Sequence, residues 1–134
     1  MAVRGIRGAI TVQHDTPEEI RQATRRLLKA LLEANPGLAP ADIASAFFTV
    51  SEDLVSEYPA HGARELGWSQ TPLMCAREIP VPTGMPRCIR VLVHWNTELP
   101  QSEIQHVYLE EARRLRPDLE AGKPEAEEPR RKIL

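Results

Sequence analysis

A continuous apolar segment in the second half of the chain places the strongest constraint on the fold. Residues 88–95 read Cys-Ile-Arg-Val-Leu-Val-His-Trp, a run rich in β-forming residues that no proline interrupts. A segment that is apolar at successive positions is typical of a strand with apolar contacts on both faces. We therefore predict a sheet in which residues 88–95 form a central strand.

The N-terminal segment predicts a strand followed by a helix. Residues 3–12 contain β-forming residues without proline and indicate the first strand. Thr16, Pro17 and Glu19 then match the cap, the first position and the capping-box residue of a helix. The Asn35-Pro36-Gly37 sequence ends that helix.

The remaining elements follow from shorter patterns along the chain. We expect a strand at 43–50, a helix at 59–66, an extended edge segment at 70–79 and one helix at 101–116. The pattern leaves open a short strand around 106–109 within that last segment. This order predicts a mixed α/β (α+β) fold, with a sheet of about four or five strands and helices on one face. Oligomerisation would bury the other face.

Length, charge and composition exclude several classes of protein. A chain of 134 residues suffices for one domain, and its net charge of −2 and six aromatic residues disfavour nucleic-acid binding. No apolar run approaches the length of a membrane span, so we expect a soluble, cytoplasmic protein. The domain is predicted at 1–119, and the charged, proline-containing residues 120–134 are predicted to form a flexible tail.

Two cysteines and four histidines show no ligand spacing. Cys75 and Cys88 match neither a disulfide framework nor a CxxC motif, and we expect free thiols. The histidines form no HExxH pattern, so no metal site is expected.

Two arginines occupy strand positions where apolar residues are usual. Side chains alternate along a strand, so Arg7 shares a face with Gly5 and Ala9. Because these neighbours are small, open volume suited to a ligand is expected beside the guanidinium. The alternative is that Gly5 and Gly8 only permit a bulge or a twist.

Arg90 lies inside the most apolar strand and needs an anion or several acceptors there. A structural ion pair with Glu78 and an anionic ligand are both open. Arg64 and Arg116 either add positive charge at the rim of the site or are solvated surface residues. Tyr108 either offers its phenol to a ligand oxygen or packs on a helix face. Several guanidiniums with one carboxylate describe a site for a small polyanion that carries a hydroxyl.

Five segments in this order carry a family resemblance over residues 3–119. Together they resemble the trimeric, non-helical class of chorismate mutase. The segments are Arg4-Gly5-Ile6-Arg7-Gly8-Ala9, the Tyr58–Trp68 stretch, Cys75-Ala76-Arg77-Glu78, Cys88-Ile89-Arg90-Val91 and the His106–Leu119 stretch.

The resemblance implies a homotrimer with a pseudo-α/β-barrel core and active sites between subunits, which rearrange chorismate to prephenate without a cofactor. It implies that Arg90 stands beside the ether oxygen of chorismate. Glu78 and the main chain at Cys75 would bind the ring hydroxyl, and Arg7 and Tyr108 the side-chain carboxylate. Other positions matching residues that line or close the cleft are Tyr58, Ala60, Arg64, Leu73, Met74, Leu115 and Arg116.

Three positions depart from the family pattern. His61 stands where relatives can have lysine, Met74 where a small hydroxyl residue can occur, and Tyr58 where relatives have phenylalanine. These departures bear on binding strength. The alternatives in function are a trimer that binds small carboxylates without this reaction, and an interaction module, which the near-neutral charge disfavours.

Overall fold

A mixed five-stranded sheet and two α-helices make up the computed structural model, which describes residues 1–115. The strands are β1 Ala2–Thr11, β2 Ile43–Val50, β3 Leu73–Arg77, β4 Cys88–Thr97 and β5 Val107–Leu109; the helices are α1 Pro17–Ala34 and α2 Pro59–Glu65; short 3-10 helices span Pro40–Asp42, Gln101–Glu103 and Glu110–Leu115. Arg116 and the predicted tail at 120–134 lie outside the described residues.

Strand β4 lies at the centre of the sheet, whose order is β3-β2-β4-β1-β5. It pairs antiparallel with β1 and β2, while β1 pairs parallel with β5 and β2 pairs parallel with β3. The predicted central strand is thereby confirmed. Strand β3 is an edge strand, as Pro72 just before it indicated.

Helix α1 begins where the sequence predicted, with a modified cap. Thr16 Oγ1 accepts a hydrogen bond from the backbone N–H of Glu19 at 3.1 Å, and Pro17 is the first helical residue. The Glu19 carboxylate accepts from the backbone N–H groups of Gln13 and His14, at 3.2 and 3.0 Å. In a standard capping box the Glu19 side chain would accept from the backbone N–H of Thr16. Here it accepts from residues nearer the end of β1 and so connects that strand to the helix.

The helices cover only one face of the sheet. The core on that face joins sheet residues such as Ile6, Phe48 and Val93 to helix residues such as Ile20 and Leu27, all fully buried. The other face carries exposed apolar side chains. They are Val3, Phe47, Met74 and Leu92, with relative exposures of 53, 42, 62 and 38%. The predicted arrangement of helices on one face is confirmed, and the second face is uncovered.

The single helix predicted at 101–116 is wrong. Gln101–Glu103 forms a 3-10 turn, Val107–Leu109 forms β5, and Glu110, with a φ of 56°, starts a second 3-10 segment. The free edge of β1 explains the difference, because pairing with it satisfies backbone groups of β5 that a helix would satisfy internally. Tyr108 therefore lies on a strand rather than on a helix face.

Helices α1 and α2 are held together by close packing and by the carboxylates of Glu57 and Glu65, which pair with arginines of α1. A Cβ on Gly62 would lie 2.8 Å from the carbonyl oxygen of Arg21, so glycine is required at this contact. Beside it, Glu57 Oε2 accepts a hydrogen bond from the Arg21 guanidinium at 2.7 Å. Glu57 Oε1 accepts from the Tyr58 backbone N–H at 2.9 Å and lies 2.6 Å from Nδ1 of His61. These contacts fix the turn from Tyr58 to His61 against α1.

The pKa of Glu57 is lowered by the Tyr58 N–H and further by Arg21 and His61. A carboxyl with a lowered pKa contributes stability above its unfolded value of 4.5, and that contribution is lost as the pH falls through the folded value. We expect Glu57→Gln to lower the free energy of unfolding at pH 7 by about 1 kcal/mol. The difference from the unsubstituted protein should shrink below about pH 4.

Urea unfolding at a series of pH values and a fixed protein concentration measures this difference. Glu18→Gln is the matched control. Glu18 also faces Arg21, but its side chain is 71% exposed and its carboxylate lies 3.8 Å from the guanidinium, too far for a hydrogen bond. A Glu57→Gln deficit that stays constant down to pH 3 would contradict the assigned role of the charge.

Candidate active site

Four of the predicted site residues, Arg7, Glu78, Arg90 and Tyr108, lie on the uncovered face of the sheet. Ala9 of β1 is paired with Arg90 of β4 on one side and with Tyr108 of β5 on the other. Paired residues share a face of the sheet, so Arg90 and Tyr108 flank the small Ala9 side chain. Arg7 lies two residues before Ala9, on the same face, and is exposed.

Arg90 and Glu78 form a loose ion pair. Nε of Arg90 lies 3.5 Å from Oε2 of Glu78, which is an ion-pair distance but longer than an ordinary hydrogen bond. This Nε is buried and has no hydrogen-bond partner among the described residues. The Arg90 side chain is 27% exposed to solvent. The ion pair that the sequence left open is present, and it leaves the guanidinium able to bind a further anion.

The hydroxyl of Tyr108 is also buried and lacks a hydrogen-bond partner within residues 1–115. The ring packs in a small cluster with Ala9, Cys88 and Ala112, against which Leu115 also packs. A buried polar atom without a partner costs free energy, so the Tyr108 hydroxyl is a candidate contact for a ligand atom. Leu115, another predicted site residue, packs against the same cluster.

Both cysteines are free, as predicted, and neither adds charge to the site. Burial raises the pKa of Cys88 to about 11, although Arg90 opposes this shift. Burial likewise raises the pKa of Cys75. Because Cys88 stays a neutral thiol, two residues before Arg90 on the same face, it does not compete for the positive charge of the guanidinium.

The backbone N–H and C=O of Cys75 point away from β2, beyond the edge of the sheet. Glu78 N–H donates to the Val50 carbonyl at 2.9 Å, and the Pro72 carbonyl accepts from Ala46 N–H at 3.1 Å. Backbone groups alternate along a parallel strand, so these bonds direct the N–H and C=O of Cys75 away from β2. The main chain at this position is thus oriented to meet a ligand.

A second group of predicted residues lies elsewhere on the chain. Tyr58, Ala60 and Arg64 are on or next to α2, and Leu73 and Met74 are on β3. Four strand spacings, about 19 Å, separate β3 from β5. One copy of the chain therefore does not bring this group beside Tyr108. A groove of about 420 Å³ at the β3 edge is lined by residues that include Tyr58, His61 and Cys75.

Two residues of the site region were missed by the sequence analysis. Thr49 donates from Oγ1 to Oε2 of Glu78 at 2.7 Å, and Glu57 anchors the Tyr58 turn. Thr49 and Glu78 are 29 residues apart in the chain, and Glu57 and its partner Arg21 are 36 residues apart, so no local pattern identifies these contacts. The only signal was weak: Thr49 occupies an alternating strand position that faces away from the core.

The described part of the chain offers neither a metal site nor a membrane-spanning helix. Within residues 1–115, no three His, Cys, Asp or Glu side chains come together as a metal site. No helix in that range has the length and apolar character needed to cross a membrane.

Comparisons with known proteins identify the family of this chain. The family model of chorismate mutase type I matches residues 3–119. A chorismate mutase AroH of Thermus thermophilus is 58% identical over 120 residues, which cover 90% of this chain and 98% of the relative. The AroH protein of Bacillus subtilis is 44% identical over 124 residues, covering 92% and 97%.

A solved structure extends the comparison to the fold. The chorismate mutase from Clostridium thermocellum superimposes with a TM-score of 0.79 and 48% sequence identity, over 81% of this chain and 96% of that one. The family model and the two relatives each span about nine-tenths of the chain, and the solved structure spans 81% of it. The chain belongs to the chorismate mutase type I family.

Proposed function

We propose that this chain converts chorismate to prephenate in phenylalanine and tyrosine biosynthesis, on the uncovered face of its sheet. One observation carries the assignment of the site. Nε of Arg90 and the hydroxyl of Tyr108 are both buried, both lack a partner in the described part of the chain, and both flank Ala9. In a member of this family, two such groups are where substrate oxygens are expected.

The reaction is a [3,3] rearrangement within one molecule, in which one C–O bond breaks as one C–C bond forms. No proton has to move and no covalent intermediate is required. The chain's residues therefore have two tasks. They hold the compact conformer in which the reacting carbons are close, and they stabilise charge that develops in the transition state.

Arg90 performs the electrostatic task in this proposal. The ether oxygen becomes more negative as its bond lengthens, so a fixed cation beside it binds the transition state more tightly than the substrate. One preorganised donor contributes about 3–4 kcal/mol, whereas a millionfold acceleration needs about 8 kcal/mol. Conformer selection supplies much of the remainder.

The other residues hold the substrate in the reactive conformer. Thr49 and Arg90 both approach Oε2 of Glu78, so we assign Oε1 to the ring hydroxyl. The main chain of Cys75 is directed away from β2, beyond the edge of the sheet, so we assign it to the ring hydroxyl in the site that it forms with a neighbouring copy. Arg7 and Tyr108 lie on the opposite side of Arg90, where we assign them to the side-chain carboxylate.

We further propose that the working form is a homotrimer with a pseudo-α/β-barrel core and sites between subunits. The uncovered face carries exposed apolar side chains that a partner copy would bury. The group on α2 and β3, with Tyr58 and Arg64, lies too far from Tyr108 to serve the same site within one copy. A neighbouring copy would supply it.

We also propose a cytoplasmic location and a reaction without a cofactor. Free thiols at both cysteines suit a reducing compartment. The rearrangement itself consumes no electrons, protons or second substrate, so the residues assigned above suffice for it.

Loss of chorismate absorbance on incubation with the purified protein tests the activity. Turnover is the expected result. Saturable binding of chorismate without turnover would instead favour a carboxylate-binding trimer that does not catalyse this reaction.

Substitution of Arg90 tests its role in the transition state. We expect Arg90→Ala to lower kcat by about 10²–10³-fold with a much smaller change in KM, because a preorganised donor is lost. Arg90→Lys should also be strongly impaired, since an ammonium does not reproduce the planar fork. Steady-state kinetics measures both. A kcat near that of the unsubstituted protein in either variant would refute the assignment.

A charge on the uncovered face tests the trimer. We expect Phe47→Glu to dissociate the assembly and abolish turnover, because its strand neighbours Met74 and Leu92 are apolar and an unpaired carboxylate in a buried interface is costly. Light scattering on a size-exclusion column measures the mass. Lys29→Glu, on the exposed side of α1, is the control and should stay assembled. An unsubstituted protein that runs as a monomer and still turns over chorismate would exclude the trimer as the working form.

A further inference from the structure

We propose that Thr49 is a positioning residue for this reaction, whose hydroxyl keeps the Glu78 carboxylate from closing onto Arg90. The inference deepens the proposed function and rests on it. It concerns a contact that separates two charged groups which would otherwise neutralise each other. The guanidinium then remains available to the substrate.

The register of the sheet puts Thr49 beside both charged groups, on the strand between those that carry them. Thr49 of β2 is paired with Arg90 of β4 on one side and with Ala76 of β3 on the other. Glu78 follows β3 on the same face, two residues beyond Ala76. The hydroxyl of Thr49 is therefore within reach of a carboxylate that extends from β3 towards the guanidinium.

The distances show which donor holds the carboxylate. Thr49 Oγ1 lies 2.7 Å from Oε2 of Glu78, a normal hydrogen bond, while Nε of Arg90 lies 3.5 Å from the same oxygen. A guanidinium and a carboxylate that are free to approach settle at about 2.7–2.9 Å. The pair is thus held open by well over half an ångström, and the buried Nε lacks a hydrogen bond.

The side chain is suited to this task because it is stiff. Threonine is branched at Cβ, so its χ1 angle is restricted, and on a strand its hydroxyl has a fixed direction. The single hydroxyl proton is donated to Glu78. Without that donor, the nearest charged partner of Oε2 is Arg90, and a closed ion pair would weaken the field that Arg90 exerts on the ether oxygen.

Thr49→Val tests the proposal, because valine keeps the size, the branching and the strand preference and removes only the hydroxyl. We expect kcat/KM for chorismate to fall about tenfold, as for loss of a hydrogen bond to a charged group, with kcat changing more than KM. Thr49→Ser, which restores the donor, should keep most of the activity. Thermal unfolding should be unchanged in both variants.

A double-substitution cycle separates positioning from a structural role. In a Glu78→Gln background no carboxylate is present to close onto Arg90, so adding Thr49→Val should change kcat less than twofold. An equal loss in both backgrounds, or an equal loss in the serine and valine variants, would overturn the proposal.

A crystal structure of Thr49→Val provides a readout that does not depend on turnover. We expect the distance from Nε of Arg90 to the nearer Glu78 oxygen to shorten to below about 3 Å. A distance that stays at 3.5 Å overturns the positioning role and leaves the proposed function intact. Absence of chorismate turnover in the unsubstituted protein would instead overturn the proposed function and this inference with it.

Discussion

Helices cover one face of the five-stranded sheet and leave the other uncovered, and the rest of the structure depends on this asymmetry. On the covered face, α1 and α2 bury a continuous apolar core that includes Ile6 and Phe48. On the other face, exposed Phe47 and Leu92 stand close to Arg7 and Arg90. Apolar surface favours burial by about 25 cal/mol per Å², whereas a guanidinium resists it unless it is paired. A single face thus combines surface suited to assembly with charge suited to a ligand.

The central position of β4 explains how a charge is tolerated there. Arg90 is surrounded on its own face by Ala9, Thr49 and Cys88, which are small. Burial raises the pKa of Cys88, so the thiol adds no counter-charge, and Glu78 approaches only to ion-pair distance. Hydrogen bonding to strands on both sides fixes the backbone beneath Arg90. The result is a cation that is rigidly placed yet incompletely neutralised, which is the property that transition-state stabilisation requires.

Local chemistry made much of this predictable from sequence, and long-range pairing made the rest unpredictable. The Thr16 cap, the start of α1 and the apolar run of β4 are short-range signals, and the structure bears them out. A charge inside that run was sufficient to single out Arg90. Strand β5 remained only an alternative to the wrongly preferred helix, because three residues carry little periodicity and its pairing partner, β1, begins the chain. The contacts of Thr49 and Glu57 depend on register and helix packing, which no local pattern encodes.

The division of the site residues into two groups has a mechanical consequence in the proposed trimer. One group is held by strand register, and the other by the pairing of β3 with β2 together with the Arg21–Glu57 contact and the close approach at Gly62. Each wall of the cleft is therefore rigid within its own subunit, and assembly brings two preformed walls together. Selecting one compact conformer of a flexible substrate requires such walls, because a wall that yields by an ångström readmits the extended conformers. The helix contact, distant from the reacting atoms, then acts on the same step as Arg90 by keeping the opposite wall in place.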